Sequence, residues 1–354
     1  MKKSALLLFI TVQFLSAQSV RKYSNEFLNI GVDAAAFGMG KAVVASTNDV
    51  NSTYWNPAGL TAIKDYQGAI MHAEYFAGIA KYDYVGFAMP IDDSSALGVT
   101  LIRFGVDDIL NTTELIDSNG NIDYNRIRLF SAADYALNLA YARNLPVQGL
   151  AIGFNTKIVR RIIGDFAASW GFGIDASIQF ERKKWKFGVM LRDITTTFNS
   201  WSFNENEFEK IKNAIPGQNQ ELPESTELTL PKAQIGVAKY INLGRDFNLL
   251  TELDLNLRFV KTNDIIASNI VSIDPAFGFQ FSYVDVVFLR GGIGNIQNEL
   301  QFDNSKEIVF QPNFGVGFKY KGIQIDYALT NIGNIGNALY SNVFSIKVDF
   351  DYFR

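Results

Sequence analysis

From about residue 68 onward, the chain alternates apolar and polar side chains over about fourteen stretches of roughly 8 to 14 residues each. The last of these stretches reads NVFSIKVDFDYFR. An extended chain places its aromatic and aliphatic side chains on one face and its serine, lysine and aspartate side chains on the other, because successive strand side chains point in opposite directions. Such a strand separates an apolar environment from an aqueous one.

After residue 17 the sequence has no uninterrupted apolar stretch of about 18 residues, the length that a membrane-spanning helix needs. If this chain enters lipid, its strands must close into a barrel, because lipid cannot hydrogen-bond an open sheet edge. We therefore predict an all-β, transmembrane antiparallel β-barrel of about 14 strands. The predicted strands are 68–76, 82–90, 95–104, 131–143, 149–160, 168–181, 184–192, 230–241, 246–259, 272–283, 285–294, 310–320, 322–330 and 342–353.

The connections between the predicted strands alternate in length. Short ones read IDDSS, NLPVQ, ERKK, NLGRD, YVD and YKG, and long ones span 105–130, 193–229, 259–271, 294–309 and 331–341. Outer-membrane barrels have short periplasmic turns and longer external loops. A soluble β-sandwich would also show alternating strands, but it does not explain this asymmetry.

The N-terminal part of the sequence divides into two predicted segments. Residues 1–17 carry two lysines, an apolar run and a final Ser-Ala, which predicts a signal peptide and export. Together with the predicted barrel, this predicts location in the outer membrane of a Gram-negative cell. Residues 18–67 do not alternate and predict a compact helical plug or hatch, followed by the barrel over 68–354. In the plug we expect Asn56 to cap a helix that starts at Pro57, and Asn48 to cap the helix before it.

Several glycines fall on the predicted lumen face of the strands. Two roles are open for them: room for the plug backbone to approach the barrel wall, or curvature of the strands. The positions are Gly171, Gly173, Gly315 and Gly317.

Composition excludes several functional classes. A net charge of −4 and a pI of about 5.2 give no basic field for nucleic acid, and the absence of cysteine excludes disulfides and thiolate metal sites. His72 is the only histidine and has no recognisable nucleophile beside it. The carboxylate pairs Glu252 with Asp254 and Asp349 with Asp351 are typical of solvated charges on a lumen wall. We expect no catalytic residue, cofactor or metal, and so no enzyme.

The loop over 193–229 is long enough to carry a function. Its centre, Glu205 to Ala214, has a helix-like pattern. Trp201 and Phe203 at its start are interpreted either as anchors at the membrane interface or as contacts for a partner. Together with Phe208, they form the candidate partner-binding loop.

The stretch NIGVDAAAFGMGKAVVASTNDVNSTYWNPAGLTAI resembles the N-terminal signature of the PorV/PorQ family of outer-membrane proteins, which is related to FadL-type barrels. The order, spacing and position of the matching residues agree with that signature. These residues are Gly31, Asp33, Ala34, Gly38, Met39, Gly40, Asp49, Trp55, Asn56, Pro57, Ala58, Gly59 and Leu60.

This resemblance implies a fourteen-strand barrel in outer-membrane lipid and a role in type IX protein secretion. The implied partners are the secretion pore and exported substrate proteins with a C-terminal sorting domain. The WNPAGL run is closer to FadL-like proteins than to PorV itself. The alternative is therefore a FadL-like channel for hydrophobic small molecules, gated by the hatch and lined by aromatic side chains.

Overall fold

In a computed structural model of the chain, the described residues are 24–116, 120–214, 221–301, 305–330 and 341–353. They form a closed barrel of 14 antiparallel strands, with a few short helices. The barrel closes where β1 pairs with the last strand, with Gln67 opposite Asp349 and Glu74 opposite Asn342. The predicted signal peptide, residues 1–17, lies outside the described residues.

The strands are β1 Gln67–Tyr75, β2 Ala80–Asp92, β3 Ser95–Asn111, β4 Arg128–Asn144, β5 Leu150–Ile163, β6 Ala167–Arg182, β7 Trp185–Arg192, β8 Thr197–Phe203, β9 Thr226–Thr229, β10 Lys232–Asn242, β11 Phe247–Arg258, β12 Ile266–Ala267, β13 Ser272–Tyr283, β14 Val287–Leu300, β15 Lys306–Tyr320, β16 Ile323–Thr330 and β17 Ser341–Asp349. Neither β8, β9 nor the short β12 is counted as a separate barrel strand, because β7 pairs directly with β10, and β11 with β13.

The α-helices are α1 Ala34–Gly38, α2 Ser52–Trp55 and α3 Glu205–Ala214, and the 3-10 helices are Glu26–Asn29, Pro57–Ala62, Tyr124–Arg126 and Phe350–Phe353. Every helix among the described residues is too short or too polar to cross a membrane.

The strand faces follow the predicted alternation. On β15 the side chains of Phe314, Val316 and Phe318 point outward and are exposed by half or more, while the residues between them face the lumen. On β17 Phe344 points outward and Ser345 is buried inside. The short turns gather at one end of the barrel, the short-turn end, which faces the periplasm in outer-membrane barrels. The opposite end is the long-loop end.

Two predicted loops, 105–130 and 294–309, are shorter than expected. β3 continues to Asn111, β14 to Leu300, and β15 already begins at Lys306. The pairing register shifts between Val106 and Ile109 and between Gly294 and Gln297. Such bulges interrupt the period-2 pattern, so alternation alone ends these strands too early. Of the predicted loop 331–341, residues 331–340 lie outside the described residues.

Two further expectations are corrected. The predicted strand 342–353 ends at Asp349, because the chain turns into the 3-10 helix Phe350–Phe353, so Asp351 does not share a strand face with Asp349. The predicted loop 193–229 contains β8 and β9 as well as the predicted helix α3.

Strands β7 and β10 both break at the same level and continue as β8 and β9. The break after β7 holds Asp193 and Thr196 at positive φ, 56° and 58°. Beyond it, β8 pairs with β6 on one side and β9 on the other.

Residues 24–66 fill part of the lumen and form the plug. Its core contains Val32, Phe37 and Leu60, all fully buried. Asn56 caps the 3-10 helix that begins at Pro57, as predicted. The expected cap at Asn48 is wrong, because α2 begins at Ser52 and is preceded by Asn51.

Candidate functional site

Two neighbouring carboxyl groups of the barrel wall hold the plug backbone. Glu252 and Asp254 lie on β11 and are buried in the lumen. Asp254 Oδ2 accepts hydrogen bonds from the amides of Val43 (2.9 Å) and Val44 (3.0 Å), and Glu252 Oε1 accepts one from Ala45 (2.6 Å). The spacing of Glu252 and Asp254 had indicated solvated charges. That expectation is wrong, because the plug covers both carboxyl groups.

The capping residue Asn56 joins the plug to the wall. Its Oδ1 accepts from the amide of Ala58 (3.2 Å), and its Nδ2 donates to the carbonyls of Val44 (2.9 Å) and Ile178 (3.3 Å). Ser177 Oγ on β6 accepts a further bond from the Ala58 amide (3.1 Å). One amide side chain thus orders the plug internally and attaches it to β6.

Lumen-facing glycines allow this close approach. A Cβ at Gly188 would lie 2.3 Å from the carbonyl oxygen of Val44, and a Cβ at Gly292 would lie 2.2 Å from the carbonyl carbon of Met39. No side chain fits at such distances. The same role is played by Gly153, Gly278 and Gly315.

The four glycines predicted from the sequence fall into two groups, according to whether they face the plug or other side chains of the sheet. Gly315 contacts the plug, since its Cβ would lie 2.9 Å from the Cα of Gly38. The nearest contacts of the other three are side chains of the wall. Gly171 faces Asn199, Gly173 faces Thr197, and Gly317 faces Asp326.

Asp33 and Asp49, the acidic residues of the motif, meet the last strand. Asp33 Oδ1 caps α1 by accepting from the amide of Ala35 (3.3 Å), and it also accepts from Ser345 Oγ (2.9 Å). Asp49 forms an ion pair with Lys347. Burial, together with neighbouring carboxylates, raises the pKa of Asp33 to about 6.

The remaining motif residues shape the plug. Trp55 Nε1 donates to the carbonyl of Val32 (3.0 Å), and its ring packs against Gly31, which has a φ of 106°. A Cβ at Gly59 would lie 2.4 Å from a backbone carbonyl oxygen, and Gly40 has a φ of 65°. In the structure, the motif builds the plug and its seat on the wall.

A cavity lies on each side of the plug. The long-loop cavity is about 520 Å3 and the short-turn cavity about 660 Å3. The lining of the first includes Lys41, Arg192, Lys232, Arg258, Asp274 and Asn295. The lining of the second includes Asp49, Asp285, Arg290, Lys319, Tyr320 and Lys347. Both cavities therefore combine several charged side chains with apolar and aromatic ones.

A buried charge cluster supports the strand break. Lys157 Nζ lies 2.8 Å from Asp175 Oδ1 and 2.6 Å from Asp193 Oδ1, and all three side chains are buried. Thr197 Oγ1 donates to Asp193 Oδ1 (2.5 Å). The cluster fixes the segment between β7 and β8 against β5 and β6.

Residues 197–214 and 221–229 form the external arm, which contains β8, α3 and β9. Trp201 stacks beside Phe203, with ring centroids 6.4 Å apart. The guanidinium of Arg161 lies 5.1 Å from the Trp201 ring centroid. Phe208 lies on α3 with the ammonium of Lys212 5.1 Å from its ring. The arm thus brings Trp201 and Phe203 together and places Phe208 on a separate element.

Sequence reasoning missed a charged cluster on the outer wall of β1–β3. His72 Nδ1 lies 2.7 Å from Asp83 Oδ1, and Arg103 lies 3.7 Å from Asp83 and 3.3 Å from Asp107. The cluster also contains Glu74 and Lys81. The sequence does show charged residues at outward-facing positions of the predicted strands. Their position in the alternation was the signal that could have identified this cluster.

This outer-wall cluster lies level with apolar parts of the barrel surface. His72 pairs across the sheet with Phe344, which pairs with Tyr327, which in turn pairs with Val316. All four side chains alternate with lumen-facing neighbours and therefore point outward. One sector of a largely apolar wall thus carries a cluster of charges.

A closed antiparallel barrel with an apolar outer wall and a plug in its lumen is an outer-membrane β-barrel of the FadL-like fold. The family model described as "Type IX secretion system protein PorV" matches residues 16–233, more than half of the chain. The chain belongs to this family.

Solved structures share the fold at low sequence identity. A FadL homologue from Pseudomonas aeruginosa is 10% identical with a TM-score of 0.53, covering 90% of this chain and 98% of that one. The toluene transporter TodX of P. putida is 12% identical with a TM-score of 0.51, covering 90% and 99%. The monoaromatic hydrocarbon channel CymD is 11% identical with a TM-score of 0.51, covering 90% and 97%. A comparison with curated proteins gives no match.

Proposed function

We propose that this protein is a non-enzymatic outer-membrane component of type IX secretion that binds the secretion pore and exported substrates with a C-terminal sorting domain. The plug carries the proposal. Buried carboxyl groups and a glycine-lined wall hold it in the lumen. Because the plug fills part of the lumen, the outer wall and the long-loop end are the surfaces that other proteins can reach.

The outer-wall cluster supports a partner within the membrane. A basic side chain facing lipid costs about 2–4 kcal/mol at the bilayer midplane and about 0–1 kcal/mol near the interface. The ion pairs of Arg103 with Asp83 and Asp107 reduce that cost, and a polar face of a second membrane protein would remove the contact with lipid. We assign this sector to contact with the secretion pore.

The external arm supports capture of exported proteins. It lies at the long-loop end, where β8 pairs with the first residues of β6, and it carries the half-buried aromatic side chains of Trp201, Phe203 and Phe208. Aromatic side chains supply much of the energy at protein interfaces. We assign Trp201, Phe203 and Phe208 to substrate contact.

The primary test is an affinity pull-down of the tagged protein from gently solubilised outer membranes of its own host, with mass spectrometry of everything recovered. We expect a large secretion pore and exported proteins that share one C-terminal domain. Recovery of the barrel alone, particularly with bound fatty acid, would overturn the proposal in favour of the hydrophobic channel. The charged side chains in both cavity linings, such as Lys41 and Arg192 in one and Arg290 and Lys347 in the other, are unfavourable for a purely hydrophobic ligand.

Two variants separate the assigned surfaces. Replacing residues 205–224 with a short Gly-Ser linker removes α3 and leaves the hairpin of β8 and β9, so substrate recovery is expected to fall while the pore is still recovered. The double variant Asp83→Asn with Arg103→Gln is expected to lose the pore instead. Leu101→Val, on the same outward face, is the matched control. Equal losses in all three would contradict both assignments.

A further inference from the structure

The long-loop cavity contains two cations without a carboxylate partner. Among the described residues, neither Lys41 nor Arg192 has an acidic oxygen within ion-pair distance. Other cations of this cavity do: Lys232 lies 3.6 Å from Glu26, and Arg258 lies 3.1 Å from Asp264. Within the described part of the chain, Lys41 and Arg192 are thus the two cations of this cavity that lack a carboxylate at ion-pair distance.

Arg192 is nine-tenths buried and held by neutral groups. Its Nε donates to Gln234 Oε1 (2.8 Å), and its Nη2 donates to the carbonyl of Tyr54 (3.0 Å). The guanidinium lies 4.6 Å from the Tyr54 ring centroid. These contacts orient the guanidinium group of Arg192 and leave its Nη1 without a hydrogen bond to the described residues.

Lys41 projects from the plug at a positive φ of 67°. Its ammonium lies 5.6 Å from the Phe37 ring centroid, and it forms no hydrogen bond with the described residues. Burial lowers the pKa of Lys41 to about 8, even though Asp274 opposes the shift. Lys41 is only partly exposed, and a cation largely withdrawn from water is ordinarily paired, because leaving water without a counter-ion is costly.

Amide side chains supply the rest of the polar lining. Asn295, Gln297, Gln311 and Asn313 surround the same space, with Trp55 as an aromatic wall. Amide groups can both donate to and accept from a peptide backbone. A volume of about 520 Å3 is within the range of small-ligand pockets, about 300–1,000 Å3.

We infer that the long-loop cavity binds the terminal carboxylate of an extended peptide segment, with Arg192 and Lys41 holding the carboxylate and the amide side chains holding the backbone. A planar guanidinium suits a carboxylate, because it can donate two parallel hydrogen bonds. The inference rests on the proposed function for the source of the peptide, an exported protein arriving at the long-loop end.

The test is calorimetric titration of the full chain in detergent with three probes. These are acetylated tetra-alanine with a free carboxylate, the same peptide with a terminal amide, and inorganic phosphate. We expect the carboxylate peptide to bind at least tenfold more tightly than the amide. Equal affinities, no peptide binding, or binding of phosphate alone would overturn the inference.

Variants assign the binding to the two cations. Arg192→Gln and Lys41→Gln are each expected to weaken carboxylate binding about tenfold, while Lys321→Gln at the short-turn end should bind as wild type. Lys41→Gln removes no hydrogen bond, so it remains informative if Arg192→Gln disturbs Tyr54. Heat-dependent migration in detergent gels checks that each barrel is folded. Unchanged binding in both variants would refute the assignment.

A failure of the peptide-binding test can be distinguished from a failure of the proposed secretion role. If the peptides do not bind but the pull-down still recovers the pore and exported proteins, only the cavity assignment fails. If carboxylate binding is intact but neither pore nor exported protein is recovered, the secretion role fails and the cavity remains an anion site.

Discussion

Gly188→Ala should loosen the plug without opening the barrel. The added methyl would lie 2.3 Å from the carbonyl oxygen of Val44 and 2.7 Å from the Cα of Ala45. Both are backbone atoms, so the plug segment itself must move by about 1 Å to restore ordinary contact. That movement strains the hydrogen bonds from Val43, Val44 and Ala45 to the wall carboxyl groups, which are 2.6–3.0 Å long.

The expected destabilisation of the docked plug is about 3 kcal/mol, the upper end for overpacking, because the strained bonds add to the steric cost. This corresponds to a rise of about 100-fold in the population of the undocked plug. Hydrogen exchange of the amides in 43–47, followed by mass spectrometry in detergent, measures that population. Heat-dependent gel migration should stay that of a folded barrel.

Gly68→Ala is the matched control, because its nearest neighbour would be the ring of Phe350 at 3.4 Å, an ordinary contact. Its exchange should match that of the wild type. If Gly188→Ala leaves the exchange of the amides in 43–47 unchanged, the close approach of wall and plug does not require glycine at position 188. Equal acceleration in both variants would have the same meaning.

Three further perturbations test other parts of the lumen. Asp254→Ala leaves the amides of Val43 and Val44 buried without acceptors, so plug exchange should rise by the equivalent of about 2–4 kcal/mol, and Asp254→Asn, which keeps an acceptor, should show less. Lys157→Met leaves Asp175 and Asp193 buried together, so thermal unfolding should show a loss of about 3–5 kcal/mol, and an unchanged melting temperature would contradict the role given to this cluster. The pKa of Asp33 is raised from 3.8 to about 6, so its contribution to stability is complete below pH 3.8 and is lost as the pH rises through about 6. Asp33→Asn should therefore flatten the pH dependence of amide exchange in 33–37, and a slope equal to that of the wild type would refute this.

Strand positions could be predicted because each two-faced strand repeats its environment every two residues. On β15 and β17 that period identifies the outward and lumen faces directly. It fails where the backbone departs from regular pairing, at the bulges after Val106 and Gly294 and at the break after Arg192. These departures depend on contacts with other strands, which local alternation does not encode.

The seat of the plug could be predicted only in part. Asn56 was identified as a cap because its local spacing with Pro57 is sufficient. Its bonds to β6 join residues 122 positions apart, and those of Asp254 to the plug join residues about 210 apart. Gly188 and Gly292 are lumen-phase glycines in the sequence, but their need for a hydrogen side chain is evident only when the plug backbone lies against them.

Contacts between the plug and the last strand link the two ends of the described chain. The amide of Ala34 donates a hydrogen bond to Ser345 Oγ on β17, 311 positions along the chain. Lys347, on the same strand, forms an ion pair with Asp49 of the plug. The segment synthesised early therefore completes its set of native partners only when the end of the chain has joined the sheet beside β1. Docking of residues 24–66 and closure of the barrel are thus coupled, because one strand takes part in both.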